Sequence, residues 1–326
     1  MPLAVRSRPL RWGLRLLMTV LALALSYAAV ADVAYSRVPS VAEPCRDCRS
    51  PARVNGYELY YREVGTDTTR PPVVLVHGGP GHSSLSFKQS FDFLAESRRV
   101  VYYDQRGSGN SEAKANPGDY TVEQLVDELE ALRRDVIRAD RIVVVGHSFG
   151  GALAQRYALA HSEHVAQLVL IGSIRINNGM TSRLFWTWFG PALWSTALGF
   201  PAADPAVADS ESSLGAQDTD VTSRLFDRNR AHQVLDGAGR VRFTTWRELS
   251  LSVVGGDHRP ELAALQVPTL FIYGAADSPY TGKPVADEVC GVVPRCTATG
   301  FPKSGHWPFL EEPARFRQIL NAFLTP

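Results

Sequence analysis

Short blocks of consecutive apolar residues punctuate the chain, and the stretches between them carry helical spacing. Val73 to Val76, Arg99 to Tyr103, Ile142 to Val145, Leu168 to Ile171 and Thr269 to Tyr273 are brief runs rich in β-branched and aromatic residues. Runs of this kind predict strands buried on both faces. Asn55-Gly56 is a hairpin signal, and Tyr57 to Val64 reads as the strand that follows it. Thr121 and Gln124 have the spacing of a capping box. Val122, Leu125, Val126, Leu129, Leu132 and Val136 then give the one-sided stripe of an amphipathic helix. A last helix is expected from Pro313 to Leu324. Strands alternating with helices predict an α/β fold, a mostly parallel sheet flanked by helices.

The alternation stops at residue 174 and resumes near 261. In between come Phe185 to Phe189, Trp194, a loose Ala/Asp/Ser/Pro stretch around 201–223, and helix-like segments near 221–235 and 244–254. This predicts a helical lid, residues 174–260, inserted into a core made of 52–173 and 261–326. Trp186, Trp188 and Trp194 are three of the six tryptophans. Their clustering suits either an apolar pocket wall, with Trp186 as a candidate substrate contact, or the core of the lid itself.

The N-terminus follows another pattern. Arg6, Arg8, Arg11 and Arg15 precede an apolar run from Leu16 to Leu25, and Ala29-Val30-Ala31 follows. Basic region, short apolar core and A-x-A site predict a signal peptide over residues 1–31, followed by a lead-in over 32–51. The run is short for a span of about 20 residues, so a membrane contact is expected only if the segment is retained. Its removal takes four of the 34 basic residues and none of the 33 acidic ones, leaving a net charge of −3. No basic surplus of the kind that attracts nucleic acid is present. The rest of the composition, 45% hydrophobic and 21% charged, is ordinary for a globular chain. The four cysteines, Cys45, Cys48, Cys290 and Cys296, read as disulfides in an exported protein. Of three possible connectivities, local pairing (Cys45–Cys48 and Cys290–Cys296) is preferred because each pair is close in the chain. Cys45-x-x-Cys48 sits in a Pro- and Arg-rich lead-in rather than opening a helix after a strand, which argues against a redox motif. The looser second spacing argues against zinc.

The chemistry centres on Gly146-His147-Ser148-Phe149-Gly150, which follows the strand 142–145 and opens a helical pattern. Strand, G-x-S-x-G and helix make the context of a nucleophile elbow, in which Ser148 occupies a strained turn and side chains at Gly146 or Gly150 would strike the neighbouring backbone. A serine hydroxyl needs a base, and the base needs a carboxylate to fix its tautomer. His306, in a loop before the last helix, is the histidine beyond the last predicted strand. Asp277, just past the strand 269–273, is the acid, with Asp257 and Asp287 as weaker candidates. Phe149 and Gly79 are placed to offer backbone N–H groups to an oxyanion. His77 and His147 are expected to brace these loops. The glycine loop at 78–81 lacks a Walker lysine and a G-x-G-x-x-G spacing, so it does not read as a phosphate cradle.

His77-Gly78-Gly79-Pro80-Gly81, Asp104-Gln105-Arg106-Gly107-Ser108-Gly109-Asn110-Ser111, the serine elbow, Asp277 and His306 together resemble the proline iminopeptidases and their α/β-hydrolase relatives, over roughly residues 52–326. The resemblance implies the α/β-hydrolase fold, a Ser148–His306–Asp277 triad and no cofactor or metal. It also implies an aminopeptidase acting on a small-molecule or short-peptide substrate. Members of that family usually carry a Gly-Gly-Ser-Trp-Gly elbow, whereas Gly-His-Ser-Phe-Gly is common among esterases. Their lid bears a Trp-Glu segment for the substrate amine, and the nearest match here is Trp246-Arg247-Glu248, displaced by one residue. Glu248 is therefore the expected amine ligand, with Glu211 and Asp227 behind it. The alternatives are a carboxylesterase with the same triad, or a non-catalytic binding protein of the same fold.

Overall fold

The computed structural model describes residues 13, 15–23, 26, 51–113, 120–175, 224–227, 245, 249, 252 and 258–325. Asn55 and Gly56, both at positive φ (48° and 82°), turn strand β1 (Ala52–Val54) back on β2 (Tyr57–Leu59). Two central residues at positive φ are what a tight two-residue hairpin requires. The expected single strand from Tyr57 to Val64 is broken at Tyr60, because the backbone of Tyr60 is taken by another loop. Its N–H donates to Ser111 Oγ at 3.0 Å and its carbonyl accepts from Asp104 N–H at 2.9 Å. The chain resumes as β3 (Tyr61–Val64), now in the main sheet.

The main sheet also holds β4 (Val73–Val76), β5 (Val100–Tyr103), β6 (Ile142–His147), β7 (Val165–Ile171), β8 (Thr269–Gly274) and β9 (Cys296–Phe301). Their order is β3-β5-β4-β6-β7-β8-β9, and only the β3–β5 pair is antiparallel. The consecutive apolar residues are explained by this burial. Val73, Leu75, Val143 and Val145 point to one side, where Phe87, Phe91, Phe309 and Phe316 pack. Val74, Val76 and Val144 point to the other side, against α1 (Val122–Ala131) and α2 (Phe149–Ala160). Each strand thus supplies two cores with its alternate residues.

The capping box at the head of α1 is formed: Thr121 Oγ1 accepts from Gln124 N–H, and Gln124 Oε1 accepts from Thr121 N–H. Past Ala131 the helix widens into a π-type turn over Leu132–Ile137 and stops at Arg138 in the left-handed region. After β7 come α3 (Arg259–Ala264), α4 (Lys283–Val292), α5 (Pro308–Glu311) and α6 (Pro313–Leu324). Cys290 and Cys296 form a disulfide joining the end of α4 to the start of β9, as local pairing predicts. Cys45 and Cys48 lie outside the described residues.

Near the N-terminus, residues 13, 15–23 and 26 are helical, with Leu16, Leu17, Met18, Val20, Leu21 and Leu23 exposed. Among the described residues no helix is long and apolar enough to cross a membrane.

One buried ion pair ties the loop after β5 to α1. Arg106 Nε donates to Glu128 Oε2 at 2.7 Å, and Arg106 N–H donates to Glu128 Oε1 at 3.1 Å. Burial pushes the Glu128 carboxyl up, and the Arg106 charge and both hydrogen bonds oppose that shift. Removing one partner of such a pair strands the other charge, which costs roughly 3–5 kcal/mol. Glu128→Ala is therefore expected to lower unfolding stability by about that amount in urea titration. A midpoint unchanged from the parent would show that the pair does not hold this loop.

Candidate active site

The strand ends on one edge of the sheet carry the loops that build the site, as open parallel sheets favour. Ser148 is the junction between β6 and α2, with φ 56° and ψ −121°. A side chain at Gly146 would collide with the Gly150 carbonyl, and one at Gly150 would collide with the carbonyls of Val76 and His77. The sharp turn exists because both glycines let strand, helix and neighbouring loop touch backbone to backbone. The Ser148 N–H donates to the Ile171 carbonyl at 2.9 Å, and the Ser148 carbonyl accepts from Gly151 N–H at 2.9 Å. Strain at a non-glycine positive φ, of order 1–3 kcal/mol, is thus balanced by local packing and hydrogen bonds. Only 8% of Ser148 is exposed.

Asp277 follows β8, and His306 lies between β9 and α5. His306 Nδ1–H donates to Asp277 Oδ2 at 2.9 Å, and both side chains are buried. The other carboxylate oxygen accepts from Ser278 N–H at 2.7 Å and from Thr281 Oγ at 2.8 Å. Burial alone would raise the Asp277 carboxyl. The His306 ring, the Arg224 guanidinium and the Thr281 hydroxyl outweigh it and hold the group below the usual carboxylate range. The couple lies beside the serine turn: a Cβ at Gly172, next to Ile171, would come within 2.9 Å of His306 Nδ1 and 3.2 Å of Asp277 Oδ2. Of the weaker acids, Asp287 pairs with Lys283 at 2.6 Å on the surface, and Asp257 lies outside the described residues.

His147 and His77 both brace loops. His147 Nε2–H donates to the His306 carbonyl at 2.9 Å, and the two rings lie 4.7 Å apart. His77 Nε2 accepts from Gln105 N–H at 3.1 Å, so its Nδ1–H donates to the Gly78 carbonyl at 2.9 Å. Burial pushes both imidazoles down. His82 is lowered to about 4 by burial and then by His77, Arg224 and His306. These rings are therefore neutral at neutral pH.

Phe149 directly follows the serine, and Gly79 (φ 118°) lies in the glycine loop that comes up to it. Gly78 lies so close that a Cβ there would sit 2.9 Å from Ser148 Cβ. Phe149 N–H belongs to the first turn of α2, where helix geometry supplies no partner.

The loop 104–111 holds the glycine loop in place. Gln105 Nε2 donates to the His77 carbonyl at 2.8 Å, Asp104 Oδ1 accepts from Ser84 N–H and Oγ at 2.7 Å each, and Asp104 Oδ2 accepts from Asn110 N–H at 2.9 Å. The sequence pairs these two motifs without revealing that one splints the other.

Two further residues carry no sequence signal for their place here. Arg224 Nη2 stands 3.3 Å from Thr281 Oγ1 and 3.5 Å from His306 Nδ1. Glu311 accepts from Gly305 N–H and Phe226 N–H. Asp227 is exposed, with its N–H directed to Glu311. Trp186, Glu211 and Glu248 lie outside the described residues.

The model of the alpha/beta hydrolase fold family matches residues 71–313, the stretch that holds Ser148, Asp277 and His306. The chain belongs to the α/β-hydrolase family. Within it, a proline iminopeptidase of Lactobacillus helveticus is 30% identical to this hydrolase, over 82% of the chain and 95% of that relative, which places it on the proline iminopeptidase-like branch. The enol-lactonase of Burkholderia xenovorans LB400 superposes on 85% of this α/β-hydrolase and 100% of its own chain, with a TM-score of 0.69 at 23% identity. An esterase from Exiguobacterium antarcticum covers 85% and 99%, with a TM-score of 0.67 at 18% identity. At these identities the two structures speak for the fold. Family membership and the names of the relatives support hydrolase activity.

The Asp277 shift has a consequence for acid stability of this hydrolase. A carboxyl held below its unfolded value of about 3.9 contributes stability above that pH, and the contribution is lost as pH falls through the lowered folded value. Unfolding free energies of the parent and Asp277→Asn are expected to converge as the pH drops below about 4. A gap between them that stays constant with pH would contradict the shift.

Proposed function

We propose that this α/β-hydrolase is an exported serine hydrolase that cleaves an amide or ester bond through Ser148, His306 and Asp277. The observation that carries the reading is the buried Asp277–His306 hydrogen bond beside a serine in a strained elbow. With Nδ1–H committed to Asp277, the lone pair of His306 is on Nε2, the nitrogen that would take the Ser148 proton. Ser148 Oγ attacks the carbonyl carbon, and charge builds on the carbonyl oxygen, which Gly79 and Phe149 N–H groups would meet. His306 returns the proton to the leaving amine or alkoxide as that bond breaks. A water then attacks the acyl-enzyme with His306 again as base, releasing the acid and regenerating Ser148. This chemistry draws on no cofactor or metal.

For the substrate, we favour a short peptide or amide with a free N-terminal amine. The glycine-loop and 104–111 motifs and the proline iminopeptidase relatives support it. In this reading residues 174–260 form a lid in which Glu248 pairs with the substrate ammonium and Trp186 walls the pocket. A carboxylesterase is the second reading, favoured by the Gly-His-Ser-Phe-Gly elbow. Export rests on the basic-apolar-A-x-A pattern of residues 1–31 and on the Cys290–Cys296 disulfide, which suits an oxidising compartment. A membrane contact would follow only from retention of that segment, and nucleic acid is not an expected partner.

Proline or alanine p-nitroanilide should be cleaved with a free amine and not after N-acetylation, while Ser148→Ala is inert on both. Glu248→Gln should lower kcat/KM on the free-amine substrate by roughly a hundredfold or more, the scale of a broken buried ion pair. Equal turnover of the acetylated form, with fast hydrolysis of short p-nitrophenyl esters, would instead select the esterase.

A further inference from the structure

The loop that carries His306 is fastened from outside its own element. His306 N–H donates to the Arg224 carbonyl at 2.8 Å. On either side of that bond one carboxylate closes a bridge. Glu311 Oε2 accepts from Gly305 N–H at 2.7 Å, and Glu311 Oε1 accepts from Phe226 N–H at 2.8 Å. The N–H groups of Asp227 and Trp307 converge on the same carboxylate. Gly305, the residue before His306, and Phe226 of the segment 224–227 therefore share one carboxylate as acceptor. A side chain at Gly305 would collide with the Arg224 carbonyl, so glycine is what lets the two backbones lie together. Leu225 is buried in the core cluster that holds Trp307 and Phe309, which anchors the segment between its hydrogen bonds. The segment also reaches the acid, since Arg224 Nη2 lies 3.3 Å from Thr281 Oγ1, which itself donates to Asp277 Oδ1.

We propose that Glu311 is a positioning residue that clamps the segment 224–227 to the histidine loop, so that His306 is held in register with Asp277 and Ser148 only while that segment is docked. The inference rests on the proposed role of His306 as the base. Its physical basis is the number of acceptors on a carboxylate. Two oxygens can serve several N–H donors at once, whereas an amide of the same shape turns one of them into a donor facing a donor. Release of either backbone frees His306 to move, and a base displaced by an ångström loses most of its catalytic value. The insertion between β7 and α3 is thereby coupled to the chemistry through its residues 224–227 and not only through contact with substrate.

Glu311→Gln, measured on p-nitrophenyl acetate, should lower kcat by about tenfold to a hundredfold with KM within about twofold of the parent. Hydrogen–deuterium exchange should speed up together in peptides covering 224–227 and 304–307. A purely structural role would lower the melting temperature and leave kcat per folded molecule unchanged. That result, or faster exchange in the histidine loop alone, overturns the clamp. Should Glu311→Gln fail to fold, Phe226→Pro removes the donor on the other side of the bridge, at a residue that is 52% exposed. It should show the same fall in kcat, and parent-like kcat would count equally against the proposal. His306→Ala and Ser148→Ala separate the two levels. Activity that survives them overturns the base assignment itself, whereas inactive triad variants beside a fully active Glu311→Gln overturn the clamp alone.

Discussion

The structure depends on three chain segments meeting backbone to backbone at one point. The end of β6, the start of α2 and the end of β4 approach closely enough that Gly146 and Gly150 have no room for a Cβ. That contact forces Ser148 to φ 56° and lifts it out of the sheet. It also fixes how near the glycine loop at 78–81 comes to the serine. Strain in a single residue is tolerable because the two hydrophobic layers of the sheet, each fed by alternate residues of the same strands, over-determine the positions of β4 and β6.

Electrostatics around that point are arranged so that few groups are charged. Burial keeps His77, His82 and His147 neutral, and two of them spend a ring N–H on a backbone carbonyl. Asp277 is paired with His306, Glu128 with Arg106, and Asp104 accepts from the Ser84 and Asn110 donors. A low-dielectric setting of this kind strengthens whatever charge develops during a reaction. The loop 104–111 serves that setting without touching the serine, because it immobilises His77 and through it the glycine loop.

Much of this was readable in the sequence because burial on both faces writes itself as consecutive apolar residues. β4 and α6 fall at the residues predicted, and the elbow glycines clash where the motif implies. β9 was not readable: Cys-Thr-Ala-Thr-Gly-Phe is a half-exposed edge strand whose place is set by pairing with β8. The break at Tyr60 was hidden as well, since a side-chain acceptor 51 residues away diverts its backbone. Arg224 and Glu311 illustrate the general limit. Their parts are played through backbone N–H groups and carbonyls brought together from distant positions, and such contacts leave no periodicity or motif behind. Asp277 and His306 were singled out because the proposed chemistry calls for an acid and a base at the ends of particular strands, and the structure brings the two into one hydrogen bond.

In the proposed mechanism Ser148 is a nucleophile activated by the His306–Asp277 couple. The most direct measurement is reaction with a serine-directed fluorophosphonate, with the adduct located by peptide mass spectrometry. One adduct is expected, on the peptide containing Ser148, absent from Ser148→Ala and formed far more slowly by His306→Ala. Folded protein that takes up no label, or labels equally after either substitution, would contradict it.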